Sequence, residues 1–193
     1  MKIYLVRHGE SIGNEKQLIF GITDYPLTET GFIQAKQSAD KLKNMEFSSC
    51  YTSELSRAYA TAEICMNGRT ESIIKLSGLN EQNFGILEGS SFDNRIQKDS
   101  QDFGRMIEDL IHNPPSGSEN YEDMCHRVSK CLDEIVSKGK DALIVSHSGP
   151  LSIIIVKLLG LSLENVHSFY FEHGTYSMIE IQGKASKLRC FNK

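Results

Sequence analysis

Two histidines in this sequence directly follow apolar runs that have the pattern of short buried strands. Residues 3–6 precede Arg7 and His8, and residues 141–146 precede His147. Because the carboxyl ends of parallel strands share one edge of a sheet, where ligands bind, we expect the two imidazoles to lie close together. Arg7 adds a cation beside the first imidazole. This combination predicts an anion site with a candidate nucleophile.

A second arginine and a glutamate extend the predicted site. Arg57 falls in the first turn of a helix predicted over residues 54–66, with Ser53 as its N-cap, and helix N-termini attract phosphate. Glu81 follows a third predicted strand, residues 72–76, at a position where a carboxyl group could serve as a general acid. We therefore expect both side chains to face the same sheet edge as the histidines.

These side chains are suited to phosphoryl transfer. Guanidinium forks, imidazoles and helix N–H groups together fit a phosphoryl group, which carries about two negative charges. We expect neutral His8 to attack, with the backbone around Gly9 fixing its tautomer, while the arginines and the second histidine stabilise the transferring charge. Glu81 would protonate the leaving alkoxide, provided that burial or the phosphate raises its pKa.

The bulk properties exclude several other classes. A net charge of −4 and a pI near 5.9 do not favour nucleic-acid binding. The longest apolar run, residues 151–161, is shorter than the roughly 20 residues of a membrane span, and no signal peptide is recognisable. Five scattered cysteines indicate reduced thiols and a cytoplasmic location. The six histidines form no metal-binding pattern, so we expect no metal and no cofactor.

Strand and helix patterns alternate through the first 160 residues. They predict a three-layer α/β/α sandwich with a mainly parallel central sheet. Antiparallel edge strands are expected over residues 166–171, 177–182 and 187–191. Thr28 is the predicted N-cap of one helix, and Ser118 is the predicted N-cap of another. We expect a single domain over residues 1–193, in which residues 82–120 form a cap over the site.

Five blocks of the sequence, in order, resemble the signature of the histidine phosphatase superfamily, the phosphoglycerate-mutase-like group (branch 1). The resemblance extends from residue 3 to about residue 150. The blocks are Leu5-Val6-Arg7-His8-Gly9-Glu10-Ser11 with Asn14, Asp24 to Gly31 with Gln34 and Ala35, Tyr51 to Ala58 with Thr61 and Ala62, Leu79 to Gly89, and Val145-Ser146-His147.

The resemblance implies a role for each matching residue. His8 would become a phosphohistidine, and Glu81 would be the proton donor and later the base that activates water. The residues implied to bind the phosphoryl group or substrate are Arg7, Asn14, Gly21, Ile22, Arg57, His147 and Ser148. Ser148 departs from the glycine that is usual after the second histidine in this family. This difference at the site means that the resemblance does not by itself assign the substrate of a relative to this protein.

The short segment between Glu81 and His147 resembles the small phosphatases of the family, including the α-ribazole phosphatase type. The basic residues of this segment, Arg95, Lys98, Arg105 and Arg127, do not form the paired-arginine block of the mutases. We therefore expect hydrolysis of the phosphate monoester of a small metabolite. Specificity is expected from residues 15–25 and 82–115, where Phe20, Phe84, Phe92 and Phe103 are candidate pocket residues.

Three alternatives stay open from the sequence. A cofactor-dependent phosphoglycerate mutase would share the same site, and a phosphate-binding module without activity would share the same fold. A serine hydrolase is suggested by Ser146-His147-Ser148-Gly149, but the sequence has no G-x-S-x-G elbow. The leaving group and the oligomeric state are left open, with a dimer as one option.

Overall fold

The computed structural model describes residues 1–91 and 101–193, and its centre is a six-stranded mixed sheet. The strand order is β4-β3-β6-β1-β7-β8. The first four strands in this order are parallel, and β7 and β8 are antiparallel at one edge. The strands are β1 Lys2–Arg7, β2 Leu18–Ile19, β3 Ser49–Thr52, β4 Ile73–Lys75, β5 Ser90–Ser91, β6 Ala142–Ser146, β7 Ser177–Gln182 and β8 Ala185–Cys190.

Helices cover both faces of this sheet, which confirms the predicted α/β/α sandwich. Alternate residues of β1 face opposite layers: Ile3 and Leu5 pack with one helix pair, and Tyr4 and Val6 pack with the other. Residues 3–6 of the strand are hydrophobic because both faces of the sheet are buried there. The helices are α1 Ile12–Glu15, α2 Glu29–Leu42, α3 Ser56–Cys65, α4 Gln101–Asp109, α5 Tyr121–Ser137 and α6 Ser148–Leu159.

The helix boundaries differ from the predictions at two N-termini. The predicted cap Thr28 is confirmed, since its Oγ1 accepts a hydrogen bond from Gly31 N at 3.0 Å. The helix α3 begins at Ser56 rather than residue 54, and Asp24 from a distant loop accepts its first N–H at 2.9 Å. The helix α5 is capped by Asn120, not by Ser118, whose hydroxyl instead donates to Pro115 O.

The predicted strand over residues 166–171 is wrong, because this segment contains a 3-10 helix, Leu163–Ser168. Its Val166 is buried against the sheet layer, so the apolar pattern reflects burial without strand pairing. Two further 3-10 turns, Ser77–Leu79 and Gly85–Leu87, flank Glu81. The small antiparallel sheet of β2 with β5 was not expected from the sequence.

The predicted cap falls only partly within the described residues. The helix α4 and the chain from residue 110 to 120 lie in the described part. Phe92, Arg95 and Lys98 lie outside the described residues. Phe103 of α4 is buried with Ile19 and Leu87, so this part of the segment packs onto the β2–β5 sheet.

Candidate active site

The pairing of β1 with β6 places the two histidines together. Arg7 is opposite Ser146 in this parallel register, so His8 and His147 each follow the last paired residue of their strand. The two ring centroids lie 4.9 Å apart in an edge-on arrangement, and both side chains are almost completely buried. The expected convergence at the carboxyl edge of the sheet is thereby confirmed for these two residues.

The tautomer of His8 is fixed by its own loop. Its Nδ1 lies 2.7 Å from Gly9 O, which can only accept, so Nδ1 carries the hydrogen and Nε2 keeps a free lone pair. Burial lowers the pKa of His8 well below its usual range, and the neighbouring guanidinium groups of Arg57 and Arg7 lower it further. Neutral His8 therefore offers a nucleophilic nitrogen at neutral pH.

Backbone carbonyls hold the two arginines at this edge. Arg57 is fully buried and donates to Thr23 O at 3.0 Å and to Gly21 O at 2.5 Å. Arg7 donates from one terminal nitrogen to Phe171 O at 2.9 Å. These contacts use the terminal nitrogens and leave each Nε free for another acceptor.

Three buried polar atoms beside His8 have no partner among the described residues. They are Arg7 Nε, Arg57 Nε and His147 Nδ1. Buried polar groups are almost always hydrogen-bonded in native proteins, so unpaired ones at a single place indicate a ligand site. Two guanidinium N–H donors and an imidazole nitrogen match the oxygens of a tetrahedral anion.

Glu81 lies on the wall of the same site. Its Oε1 accepts from Gln82 N at 3.0 Å and its Oε2 from Gly149 N at 3.3 Å. Gly149 is required here, because a Cβ at this position would lie 2.5 Å from the carboxylate. Burial raises the pKa of Glu81, although these hydrogen bonds and the charges of Arg57 and Arg7 oppose the change. A raised pKa favours the protonated carboxyl group that a general acid needs.

A cavity of about 510 Å³ opens from this cluster to the surface. Arg7, His8, Arg57 and Glu81 form a polar part of its lining, and the apolar wall consists of Leu18, Ile19, Phe20, Phe84, Met106 and Leu110. The residues that line it are Arg7, His8, Asn14, Leu18, Ile19, Phe20, Arg57, Glu81, Phe84, Met106, Asp109, Leu110 and His167.

The structure brings most, but not all, of the expected residues to this cavity. Asn14 reaches the wall, and its Oδ1 accepts from Ser11 N at 3.0 Å. Gly21 and Ile22 are not among the described residues that line it, and their N–H groups donate to Glu88. Ser148 instead lines an adjacent cavity of about 300 Å³, which shares Glu81 with the first.

Glu88 organises the loop that holds Arg57, a role that the sequence did not suggest. Its carboxylate accepts hydrogen bonds from Thr23 Oγ1 and from the N–H groups of Gly21, Ile22, Thr23 and Phe84. The carbonyls of this same loop hold the Arg57 guanidinium. The glycine spacing around Glu88 was the available signal, since a carboxylate can accept several backbone N–H groups in a tight loop.

Two other supporting residues were missed. Arg127 of α5 forms an ion pair with Glu119 at 2.6 Å and donates to Glu81 O at 3.2 Å. His173 donates from Nδ1 to His8 O at 2.5 Å, and burial with the nearby Arg7 lowers its pKa to about 4. Glu81 and His8, which these two residues support, lie far from them along the chain, so no local pattern could have indicated the contacts.

Within residues 1–91 and 101–193, no cluster of three or more His, Cys, Asp or Glu side chains could hold a metal ion. Over the same residues, no helix is both long enough and apolar enough to cross a membrane.

The fold and this cluster define an α/β protein with a buried anion-binding site beside two histidines, and comparison with known families is consistent with this class. The family model of the histidine phosphatase superfamily (branch 1) matches residues 3–193, so this chain belongs to that superfamily.

Individual relatives match over nearly their whole length. The adenosylcobalamin/alpha-ribazole phosphatase of Escherichia coli (strain K12) is 30% identical over 100% of this chain and 96% of its own. The 2,3-bisphosphoglycerate-dependent phosphoglycerate mutase of Parvibaculum lavamentivorans is 33% identical over 97% and 93%. The crystal structure of the alpha-ribazole phosphatase from Shigella flexneri superposes with a TM-score of 0.93 at 31% identity, covering 100% and 96%.

Proposed function

We propose that this protein is a metal-independent phosphomonoesterase that hydrolyses a small phosphorylated metabolite through a phosphohistidine at His8. The three unpaired buried atoms of Arg7, Arg57 and His147 beside a nucleophilic imidazole carry this proposal. They provide a site for the phosphoryl oxygens, and they supply charge and hydrogen bonds without a metal ion.

The first step transfers the phosphoryl group to the protein. The lone pair of His8 Nε2 attacks phosphorus, and the bond to the leaving oxygen breaks. Glu81 gives its proton to that oxygen, so an alcohol leaves rather than an alkoxide. The Nδ1–H of His8 continues to donate its hydrogen bond to Gly9 O, and this contact stabilises the positive charge that develops on the ring.

The second step returns the protein to its starting state. Glu81, now a carboxylate, removes a proton from a water molecule, whose oxygen attacks the phosphohistidine. The P–N bond breaks, inorganic phosphate leaves, and Glu81 holds a proton again. One carboxyl group can serve both steps because its pKa is raised while guanidinium groups still stabilise its charged form.

The cavity wall favours hydrolysis over mutase activity. Of the described side chains that line it, Arg7 and Arg57 are the cations, and both belong to the phosphoryl site. Binding of a phosphoglycerate needs further cations that pair with its carboxylate. The apolar wall here instead offers Phe84, Met106 and Leu110, and Asp109 also lines the cavity. We infer a leaving group with apolar surface, as in the α-ribazole phosphatases that resemble this chain.

The deciding experiment is His8→Ala assayed with p-nitrophenyl phosphate. We expect turnover to fall by at least about a thousand-fold while the circular dichroism spectrum is unchanged. His126→Ala is the matched control, because this histidine is exposed on α5 and does not line the cavity, and it should retain most activity. Substantial turnover by His8→Ala would rule out the covalent mechanism.

The mutase alternative has a separate test. The protein is incubated with 3-phosphoglycerate and catalytic 2,3-bisphosphoglycerate, and the isomers are followed by ³¹P nuclear magnetic resonance. We expect slow release of inorganic phosphate and no isomerisation. Rapid formation of 2-phosphoglycerate would replace the proposed hydrolase activity with that of a mutase.

The setting of the enzyme is part of the same proposal. We propose a cytoplasmic location, supported by five cysteines that are all free. We propose a small metabolite as its binding partner, with neither nucleic acid nor membrane. We also propose that residues 1–193 form one domain in which the described parts of residues 82–120, including Met106 and Leu110, cover the site.

A further inference from the structure

The ring of His147 belongs to a chain of hydrogen bonds that leads away from the cavity. His147 Nε2 lies 2.8 Å from Ser53 Oγ, and Ser53 Oγ lies 2.8 Å from Asn80 Oδ1. His147 and Ser53 are buried, and Asn80 is half-buried. The chain therefore links the second histidine to the segment that carries Glu81.

The far end of this chain has a fixed polarity. Asn80 Oδ1 also accepts from the backbone N–H of Glu54 at 2.9 Å, and Asn80 Nδ2 donates to the Glu54 carboxylate at 3.4 Å. A backbone N–H can only donate, so the amide oxygen must face Glu54 N and Ser53. Asn80 therefore presents an acceptor to the serine hydroxyl.

The hydroxyl of Ser53 then has one arrangement that satisfies every neighbour. It accepts from Leu55 N at 3.1 Å and must donate its single hydrogen to Asn80 Oδ1. Its remaining lone pair faces His147 Nε2, which must then carry a hydrogen. The opposite arrangement would leave two acceptor oxygens 2.8 Å apart with no hydrogen between them.

We infer that Ser53 and Asn80 act as positioning residues that hold His147 in its Nε2–H tautomer. Binding of a phosphoryl group is then accompanied by one proton, which is shared between a phosphoryl oxygen and His147 Nδ1. In the neutral ring Nδ1 has a lone pair and cannot donate to an oxyanion. The proton comes from solvent or arrives on the phosphate ester. This inference rests on the proposed function, since it assigns the phosphoryl group to this site.

The charges around His147 make this proton dependent on the ligand. The groups that act electrostatically on the His147 ring are the cations Arg57, Arg7 and Arg127 and the ring of His8. The nearby carboxylate is that of Glu81, which accepts from Gly149 N in the first turn of α6. Burial and these cations lower the pKa of His147 well below its usual range, so the empty site holds a neutral ring. A dianion beside Nδ1 reverses this effect because its charge stabilises the imidazolium.

The tautomer itself can be observed by long-range ¹H–¹⁵N correlation on protein labelled with ¹⁵N-histidine, with His147→Gln used only for assignment. We expect His147 to show a protonated Nε2 and an unprotonated Nδ1 in the native chain. In Asn80→Ala the Ser53 hydroxyl is free to donate to Nε2, so the Nδ1–H form should appear. Ser53→Ala should also populate it, because the fixed acceptor is gone.

Ser146→Ala is the matched control for these variants. Ser146 is a buried serine next to His147 whose hydroxyl donates to Leu79 O, outside the chain of Ser53 and Asn80. Its spectrum should match that of the native chain. Three outcomes would each overturn the inference. They are a protonated His147 Nδ1 in the native protein, an unchanged tautomer in both Ser53→Ala and Asn80→Ala, and an equal change of tautomer in Ser146→Ala.

Proton uptake on anion binding tests the consequence without any turnover. Tungstate is a tetrahedral dianion that does not titrate near neutral pH, and calorimetry in buffers of different protonation enthalpy counts the protons taken up. His8 and Glu81 face the same anion, so the informative quantity is the difference between proteins. We expect the native chain and Ser146→Ala to take up about one proton more than Asn80→Ala at about pH 7.5.

Equal proton uptake by the native chain and Asn80→Ala would overturn the inference. Tungstate binding with the expected difference, but no hydrolysis of any phosphate ester, would leave the tautomer assignment standing and remove the proposed function. Hydrolysis through His8, with an unchanged His147 tautomer in Ser53→Ala and Asn80→Ala, would support the proposed function and overturn the tautomer assignment. The two failures are therefore distinguishable.

Discussion

The guanidinium group of Arg127 holds the backbone of Glu81, since it donates to Glu81 O at 3.2 Å and to Asn80 O at 2.7 Å. A third hydrogen bond reaches Gly78 O at 2.9 Å. Glu119 in turn binds two nitrogens of Arg127, at 2.6 and 2.8 Å. One side chain of α5 thereby fixes the segment from which the proposed proton donor projects.

Arg127→Ala should therefore lower kcat by between about ten-fold and a hundred-fold, because displacing a reacting group by about 1 Å is costly. KM for p-nitrophenyl phosphate should change little, since Arg127 does not line the cavity. Arg69→Ala is a matched control that also removes hydrogen bonds to backbone carbonyls, those of Leu42 and Met45. If both variants lose equal kcat, Arg127 has only a structural role.

Glu81→Gln should separate substrates by their leaving groups. Hydrolysis of an alkyl phosphate such as glycerol 2-phosphate should fall by about 10²- to 10⁴-fold, because an alkoxide needs the proton. With p-nitrophenyl phosphate the first step needs no acid, so rapid-quench measurements should show a burst of nitrophenol and accumulation of phosphohistidine. An equal loss of the first step with both substrates would contradict the assignment of Glu81 as the proton donor.

The same substitution should stabilise the protein at neutral and alkaline pH. The pKa of Glu81 is raised in the folded state, so native stability is highest below the unfolded pKa and is lost as pH rises through the folded pKa. Glu81→Gln removes this loss, so the variant should have a higher Tm than the native protein above that pH. Thermal unfolding across pH measures it, with Glu46→Gln, on the surface, as the control.

Removal of divalent cations should leave activity unchanged. In the proposed mechanism Arg7, Arg57 and His147 supply the positive charge and hydrogen bonds that a metal ion would otherwise provide. The measurement is hydrolysis of p-nitrophenyl phosphate after dialysis against EDTA, compared with samples given Mg²⁺, Mn²⁺ or Zn²⁺. Activity that is lost on dialysis and restored by one of these ions would contradict a metal-independent mechanism.

Leu110 should contribute to binding of the leaving group. It lies on the apolar wall with Phe84 and Met106. Leu110→Ala should raise KM for 1-naphthyl phosphate by about three- to ten-fold, which corresponds to about 1 kcal/mol of apolar contact, with little change for methyl phosphate. Leu161→Ala, an exposed residue beyond the other end of α6, is the control. Equal changes for both esters would place the leaving group elsewhere.

The central strands were predictable because their residues are apolar on both faces. The run Ile3 to Val6 and the run Ala142 to Val145 have no polar residue, which is typical of strands buried between two helix layers. The left-handed Gly160 marks the end of α6 in the sequence as in the structure. The segment Val166–Phe171 was not predictable in this way, since an apolar pattern reports burial and not strand pairing.

Local pattern also failed where a cap comes from a distant residue. Ser53 is a residue type that often caps helices, but its hydroxyl is hydrogen-bonded to His147 and Asn80. Asp24 instead accepts the first N–H of α3. Glu88 and Arg127 carry charges that the sequence could not separate from ordinary surface charges. Their partners are assembled only by folding.

The sequence by itself determined the candidate reacting groups of this protein. His8 and His147 directly follow strand ends, Arg57 lies in the first turn of α3, and Glu81 follows the 3-10 turn after β4; the regular geometry of parallel strands brings such positions to one edge. The tertiary structure decided how the ring of His147 is hydrogen-bonded, how the arginines are held and what faces the leaving group. Those properties depend on hydrogen bonds between residues far apart in the chain, which no local pattern encodes.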